Sequence, residues 1–169
     1  RATRIADLGA GAGFPGLALA AALPTAGVDL IESGARKCAV IGRLATAARL
    51  AGARAIPTRA EQWAAGEGAA AYDAVTARAL APLAVLVEYA APLLHADGVL
   101  VAWKGGRDLA EEEAGAAAAE MVGLRPTALL RVQPFPEARD RHLHVYAKIA
   151  PTPARFPRRV GVARKRPLR

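Results

Sequence analysis

The residues best suited to chemistry lie near the start of the chain. Residues 5–16 read I-A-D-L-G-A-G-A-G-F-P-G. Gly11, Gly13 and Gly16 satisfy G-x-G-x-x-G, Gly9, Gly11 and Gly13 satisfy G-x-G-x-G, and Asp7 precedes them. Glycines let a backbone turn sharply and approach a ligand without a Cβ in the way. The stretch follows an apolar run, residues 4–8, and opens a helical pattern, residues 16–23, that Pro24 stops. The next strand pattern, residues 27–32, ends on Glu32. A strand, a glycine turn, a helix and a strand-end acid form the setting in which such a loop holds a nucleotide-like ligand, with the acid on the ribose hydroxyls. Asp7 separates two ligand classes. A pyrophosphate over the loop is anionic and would be repelled there. S-adenosylmethionine has no phosphate and carries an ammonium and a sulfonium, which an acid favours. The loop is therefore read as an S-adenosylmethionine site built from Asp7, Gly9, Gly11, Gly13 and Glu32, with an NAD(P)-binding oxidoreductase as the second reading.

The elements that must position these residues alternate. After the loop and its helix come a helix at residues 35–50, with Cys38, Ile41, Leu44, Ala45 and Ala48 on one face, and a short strand at 53–57. Residues 61–71 read as helix or loop, 72–77 as a strand, 80–94 as a helix with Pro82 near its start, and 98–103 as a strand. An acidic, then alanine-rich helix at 109–122 precedes two strands, 129–133 and 142–149, with no clear helix between them. This order predicts an α/β, Rossmann-like fold of the class I S-adenosylmethionine-dependent methyltransferases: a mostly parallel seven-stranded sheet with a terminal antiparallel hairpin.

The 169 residues fit one domain, and the formal net charge of +8 is unevenly spread. Residues 151–169 hold seven basic residues and no acid, whereas residues 1–150 are nearly neutral. The chain is accordingly divided into a body, 1–150, and a basic tail, 151–169, suited to phosphate backbones. Removing the tail is expected to weaken RNA binding while sparing the cofactor. No apolar stretch of about 18 residues suggests a membrane span, no leader marks secretion, and a single cysteine excludes an internal disulfide. A cytoplasmic monomer without a metal is expected.

The methyl acceptor is narrowed by absences. Where amino-group methyltransferases carry [DNS]-P-P-[YF], the chain reads Thr76-Ala77-Arg78-Ala79-Leu80-Ala81-Pro82, and Cys38 is core filler rather than a nucleophile. An acceptor that is already nucleophilic remains. N7 of guanine is one such acceptor: its lone pair lies in the ring plane, is unprotonated near neutral pH, and needs positioning rather than a general base.

The segments DLGAGAGFPG, LIES, TRAEQ, YDAVTARA, WKG, RHLHVYAKI and TPARFPRRVGVARKRPL resemble, in order, those of the bacterial 16S ribosomal RNA guanine-N7 methyltransferases, the glucose-inhibited division protein B family. The resemblance covers nearly the whole chain. It implies methyl transfer to a guanine in the 530 loop of small-subunit rRNA, with 16S rRNA or the small ribosomal subunit as partner. It also implies roles. Gly9 and Phe14 would contact S-adenosylmethionine, Glu32 would take the ribose, Ala60 and Glu61 would hold the adenine, and Arg78 would lie at the far lip of the pocket. Lys104, Arg141, His142, Arg158 and Lys165 would face the RNA, with Lys104 and Arg141 positioning it. The family's helical segment ahead of the first strand has no counterpart in this chain, and Phe156 and Ala163 stand where the family's tail commonly has tyrosine and proline. A small-molecule methyltransferase and a non-catalytic RNA-binding module are the remaining alternatives.

Overall fold

Short aliphatic runs bounded by glycine and proline supply strands, and alanine-rich stretches supply the helices between them. The structure, a computed structural model, describes residues 2–169; Arg1, at the head of the first strand pattern, lies outside them. The elements are β1 (Arg4–Leu8), α1 (Gly16–Ala22), β2 (Gly27–Ile31), α2 (Ala35–Ala47), β3 (Ala53–Ile56), α3 (Ala60–Ala64), β4 (Tyr72–Arg78), α4 (Leu83–Ala90), β5 (Leu94–Lys104), α5 (Leu109–Met121), β6 (Leu124–Val132), β7 (Arg141–Lys148) and α6 (Val162–Lys165). The seven strands form one sheet in the order β3-β2-β1-β4-β5-β7-β6. β1 to β5 are parallel where they pair, and β7 runs antiparallel to β5 and β6. This is the expected mostly parallel sheet with its terminal hairpin.

Several boundaries differ from the pattern for physical reasons. β6 starts at Leu124 rather than at residue 129, and it includes Pro126, where the register shifts. An edge strand tolerates proline because its outward amide needs no partner. α4 is shorter than the span 80–94, because Pro82 is extended at φ −60° and ψ 156° and serves as its N-cap. In α2 only Cys38, Ile41 and Ala45 are buried. Leu44 and Ala48, expected on the same face, are exposed, because α2 packs over the edge strand β3 and its stripe runs past the sheet.

Two apolar cores flank the sheet. Leu17 and Ala20 of α1, and Ile41 and Ala45 of α2, pack on Ile5, Val28 and Leu30. On the other face, α4 packs against α3, α5 and α6, and its residues join those of β4, β5 and the C-terminal segment in a larger core. Every residue of α4 is buried. A helix apolar on all sides must be covered on all sides, and residues 151–169 supply the missing cover: Phe156, Ala163 and Leu168 belong to the same core.

That cover is clipped by charge. Glu88, in the middle of α4, is 2% exposed. Arg158 grips it in a two-pronged pair, with Nε donating to Oε1 at 2.6 Å and Nη2 to Oε2. Nη2 also donates to the Arg166 carbonyl at 2.9 Å, which closes the tail on itself. Where the tail leaves β7, Lys148 is buried and donates to the carbonyls of Ala91 and Val122, just past α4 and α5, and to Thr152. Burial pushes its ammonium down to about 8.

A buried ion pair adds little net stability, but removing one partner leaves an uncompensated charge. Arg158→Ala is therefore expected to lower the unfolding free energy by about 3 kcal/mol, measured by urea denaturation. The double substitution Glu88→Leu with Arg158→Leu should recover most of that loss. A single variant within about 0.5 kcal/mol of the parent, the usual range for surface changes, would show that the clip is dispensable.

Candidate functional site

The carboxyl ends of the parallel strands meet along one crevice of about 990 Å³. That is where ligands bind in open α/β sheets. A groove of about 820 Å³ along α2 and β3 lies away from the glycine loop.

The glycine loop forms one side of the crevice. Gly9, Gly11 and Gly13 have φ of +65°, +57° and +95°, a region that residues with a Cβ rarely enter. Gly16 is closed in differently: a Cβ there would fall 2.7 Å from Asp7 Oδ2 and 2.6 Å from Leu30 Cδ2. Gly9, Gly11 and Phe14 line the crevice. Phe14 is 51% exposed, so it is a lip of the crevice rather than core packing. Gly13 lies beneath the loop and is not part of the lining.

Asp7 also lies beneath it. The sequence places this acid against the cationic groups of the ligand; the structure buries it completely, with Oδ2 accepting the amide of Gly16 at 2.8 Å. That amide opens α1, and a free helix N-terminus is the usual seat of a pyrophosphate. Here the seat is taken from below by a carboxylate. Asp7 thus acts on the loop from below and is not in the lining of the crevice. Its other oxygen, Oδ1, is buried without a partner among the described residues. Burial pushes the carboxyl up to about 7, against the opposing pull of the Gly16 amide and the Arg78 charge.

Glu32 lies just beyond β2, 7% exposed, where it ties the loop to the next turn. Oε2 accepts from the Gly11 amide at 3.1 Å and Oε1 from the Gly34 amide at 2.8 Å, with Lys37 Nζ 4.0 Å away. A carboxylate has about four lone-pair sites, so capacity for a ribose diol remains. Ala60 and Glu61 start α3 beside it. α3 is held by Trp63, whose Nε1 donates to the Tyr72 hydroxyl at 2.7 Å, and that hydroxyl donates to Asp29 at 2.7 Å. Glu61 Oε1 accepts the amide of Gly161 at 2.8 Å. Arg164, also from the tail, donates to the Leu80 carbonyl at 2.7 Å and lines the crevice. The tail is therefore a wall of the cofactor end. Cutting it off would remove Arg164 from the lining and the Gly161 amide from Glu61, as well as positive charge.

The far end of the crevice is cationic and aromatic. Arg78, Lys104, Arg141 and His142 line it, together with Trp103 and Phe135. Lys104 is committed to Glu111, with Nζ 2.5 Å from Oε1, and Glu111 also accepts the amide that opens α4. The side chains of Arg78 and Arg141 are exposed and make no hydrogen bond among the described residues. His142 places Nδ1 2.9 Å from the Gly105 carbonyl. A carbonyl only accepts, so Nδ1 carries the proton and Nε2 faces away from it. Arg158 and Lys165 are not in the lining: the first is spent on Glu88, and the second is exposed on α6.

The structure thus gathers Gly9, Gly11, Phe14, Glu32, Ala60, Glu61, Arg78, Lys104, Arg141 and His142 around one cavity. Sequence reasoning missed Lys37, Arg164 and Phe135. Arg164 is one basic residue among seven in its segment, and only the fold distinguishes it. Phe135 had a usable signal, an aromatic between two prolines.

Comparisons with known proteins identify the family and the fold. Residues 1–143 match the family model described as GidB: rRNA small subunit methyltransferase G. A ribosomal RNA small subunit methyltransferase G of Rubrobacter xylanophilus is 42% identical over 99% of this chain, which spans 66% of that protein. One of the same name from Syntrophomonas wolfei is 35% identical over 99% of the chain and is spanned to 78%. Among solved structures, one described as a predicted O-methyltransferase of Agrobacterium tumefaciens superposes with a TM-score of 0.70 at 26% identity, covering 89% of this chain and 76% of that one. Methanococcus jannaschii fibrillarin, a pre-rRNA processing protein, shares the fold with a TM-score of 0.68 at 18% identity, covering 89% and 68%.

The buried carboxyl makes stability depend on pH. An unfolded aspartate releases its proton near 4, whereas folded Asp7 holds it to about 7. Between those values the folded state binds the extra proton, so this group lowers stability as pH rises through the window and has no further effect above it. Asp7→Asn keeps an acceptor for the Gly16 amide and removes the titration. Denaturation midpoints measured from pH 4.5 to 7.5 should fall less steeply for Asp7→Asn than for the parent; parallel curves would contradict the assignment.

Proposed function

The chain belongs to the rRNA small subunit methyltransferase G family, and from that premise we propose that it transfers a methyl group from S-adenosylmethionine to N7 of a guanine in the 530 loop of 16S rRNA. The observation that carries the reading is the polarity of the crevice. The lining contributed by α3 and the turn after β2 carries two carboxylates, Glu61 and Glu32, whereas the lining contributed by β5, β7 and the loop before β7, which is Trp103, Lys104, Phe135, Arg141 and His142, is basic and aromatic. An adenosyl group with a cationic side chain suits the first lining, and a nucleic-acid acceptor suits the second.

The residues present fit the methyl donor. Glu32 keeps lone pairs for the ribose, the turn from Gly9 to Gly11 is open to a close ligand, and the helix end that a dinucleotide would need is filled by Asp7. The NAD(P) alternative lacks that seat. When bound, S-adenosylmethionine supplies an electrophilic methyl carbon: the N7 lone pair takes it, the carbon–sulfur pair returns to sulfur, and no proton leaves.

The chain's own residues then have to orient, not to titrate. Glu32, Ala60 and Glu61 fix the adenosine end, and Phe14 covers it. Arg78 and Arg141 hold phosphates so that N7 lies in line. Lys104, held by Glu111, sets the floor between the two ends rather than offering a free charge. Orientation of this kind accounts for a large part of a barrier. Residues 1–150 would be the methyltransferase domain and the exposed arginines of 151–169 an RNA-facing strap. Arg158 takes the structural part described above, which leaves Lys165 and its neighbours for the RNA. One chain supplies both ends of the crevice, which supports a monomer. No helix among the described residues is long and apolar enough to cross a membrane, and a ribosomal substrate places the activity in the cytoplasm. A small-molecule acceptor would give no use for the charge on the tail.

Calorimetric titration should show S-adenosylhomocysteine binding with NADH inert, and tritium from labelled S-adenosylmethionine should appear in small-subunit RNA. Glu32→Ala should weaken S-adenosylhomocysteine by about 10- to 100-fold, the loss of charge-assisted hydrogen bonds; unchanged affinity would remove Glu32 from the site. For the strap, replacing exposed Arg159 and Lys165 with alanine should lower the slope of log affinity against log salt by about 0.7 for each phosphate no longer neutralised. Equal slopes would place the RNA elsewhere.

A further inference from the structure

The loop between β6 and β7 presents an aromatic ring to water. Phe135 is 54% exposed, although phenylalanine is among the residues most often buried. It is not a ring on a loose loop. Pro134 and Pro136 flank it, the Gln133 side chain donates to the Pro136 carbonyl at 2.8 Å, and the Ala138 amide donates to the Phe135 carbonyl at 2.9 Å. Ala138 is itself buried and anchors the turn. The ring is thus exposed and held, a combination that serves binding because little ordering remains to be done on contact.

Its position gives it a partner. Phe135 lines the same crevice as Phe14, but from the β6–β7 hairpin, whose last paired residues are Val132 and Arg141. We propose that Phe135 is the platform on which the acceptor guanine stacks after leaving its own RNA stack. The inference rests on the RNA-guanine reading above and names the residue that holds the base.

The chemistry of the acceptor favours a platform of this kind. Bases in RNA loops are recognised by being splayed out and stacked on aromatic side chains, and enzymes that act on a base take it out of its stack. Unstacking costs a few kcal/mol, and base–aromatic stacking is the contact that replaces it. The N7 lone pair lies in the ring plane, so the methyl group arrives at the edge of the base. A ring under its face therefore orients the base without standing in the path of transfer. Arg78 and Arg141, exposed in the lining of the same crevice, are available for the flanking phosphates. The crevice, about 990 Å³, is at the upper end of the range for sites that hold one drug-sized ligand, which leaves room for a base next to the adenosyl group.

The test uses the full chain with Phe135→Ala, Phe135→Leu and Phe135→Tyr. Three readouts are taken: affinity for S-adenosylhomocysteine, the thermal midpoint, and kcat/KM for methyl transfer to small-subunit RNA. Phe135→Ala should lower kcat/KM roughly 5- to 150-fold, the range for loss of one base–aromatic stack, with S-adenosylhomocysteine affinity and midpoint unchanged. Phe135→Tyr should restore transfer, and Phe135→Leu, which keeps bulk without a π-face, should not. Wild-type rates in Phe135→Ala, full restoration by leucine, or a parallel fall in S-adenosylhomocysteine affinity would each overturn the platform while leaving the methyltransferase reading standing. Failure of the parent chain to methylate RNA while binding S-adenosylhomocysteine would overturn both.

Discussion

A carboxylate in the middle of a helix that is packed on every side cannot be left without a counter-charge, and Glu88 sets that condition for the whole C-terminal half. The solvation it gives up must be replaced, and Arg158 replaces it from across the surface of α4. Once that guanidinium is fixed, the path of the tail follows. Phe156 and Leu168 drop into the core on either side of the crossing, Gly161 comes within hydrogen-bonding reach of Glu61, and Arg164 meets Leu80. The pair's worth is geometric more than energetic, since a hydrophobic replacement of both partners is often as stable. It brings a basic segment to the rim of the crevice, where Arg164 joins the lining.

A second buried carboxylate does comparable work at the other end of the sequence. Asp7 shapes the glycine loop by taking the first amide of α1. The same bond takes up one amide at the start of a helix, and the contact lies inside the protein. Glu32 follows the same logic, since two backbone amides fix it before any ribose arrives. Both acids are thus held by hydrogen bonds from backbone amides of the loop and its neighbouring turn.

The sheet was legible because most strands contain a short aliphatic run, several of them stopped by a glycine, proline or acid as after β1, β2 and β3, and because a missing helix between the last two strands leaves only a hairpin. The glycine loop and Glu32 were legible for the same reason: they are local patterns. Features decided by distant contacts were not. That Leu44 and Ala48 face water depends on α2 overhanging β3, which helical periodicity cannot report. That Pro126 sits within a strand depends on β6 being an edge. Arg158 and Lys165 look alike in the sequence, two cations in a cationic tail, and only the buried charge on α4 tells them apart. Asp7 stands out in the sequence as the decisive residue, but there its role points to contact with the ligand, because a sequence does not show which side of a loop an acid occupies.

The closing of the crevice by residues 161–164 has a temporal side. A chain is made from its N-terminus, and its parts fold as they emerge. The glycine loop and Glu32 are translated well before Gly161 and Arg164, and so is every strand of the sheet. A nascent chain can therefore build its sheet while one wall of the pocket is still inside the ribosome. The proposed modifier of ribosomal RNA is structurally incomplete for as long as that segment is held by the ribosome that is making it, and its pocket closes only once the segment has come free.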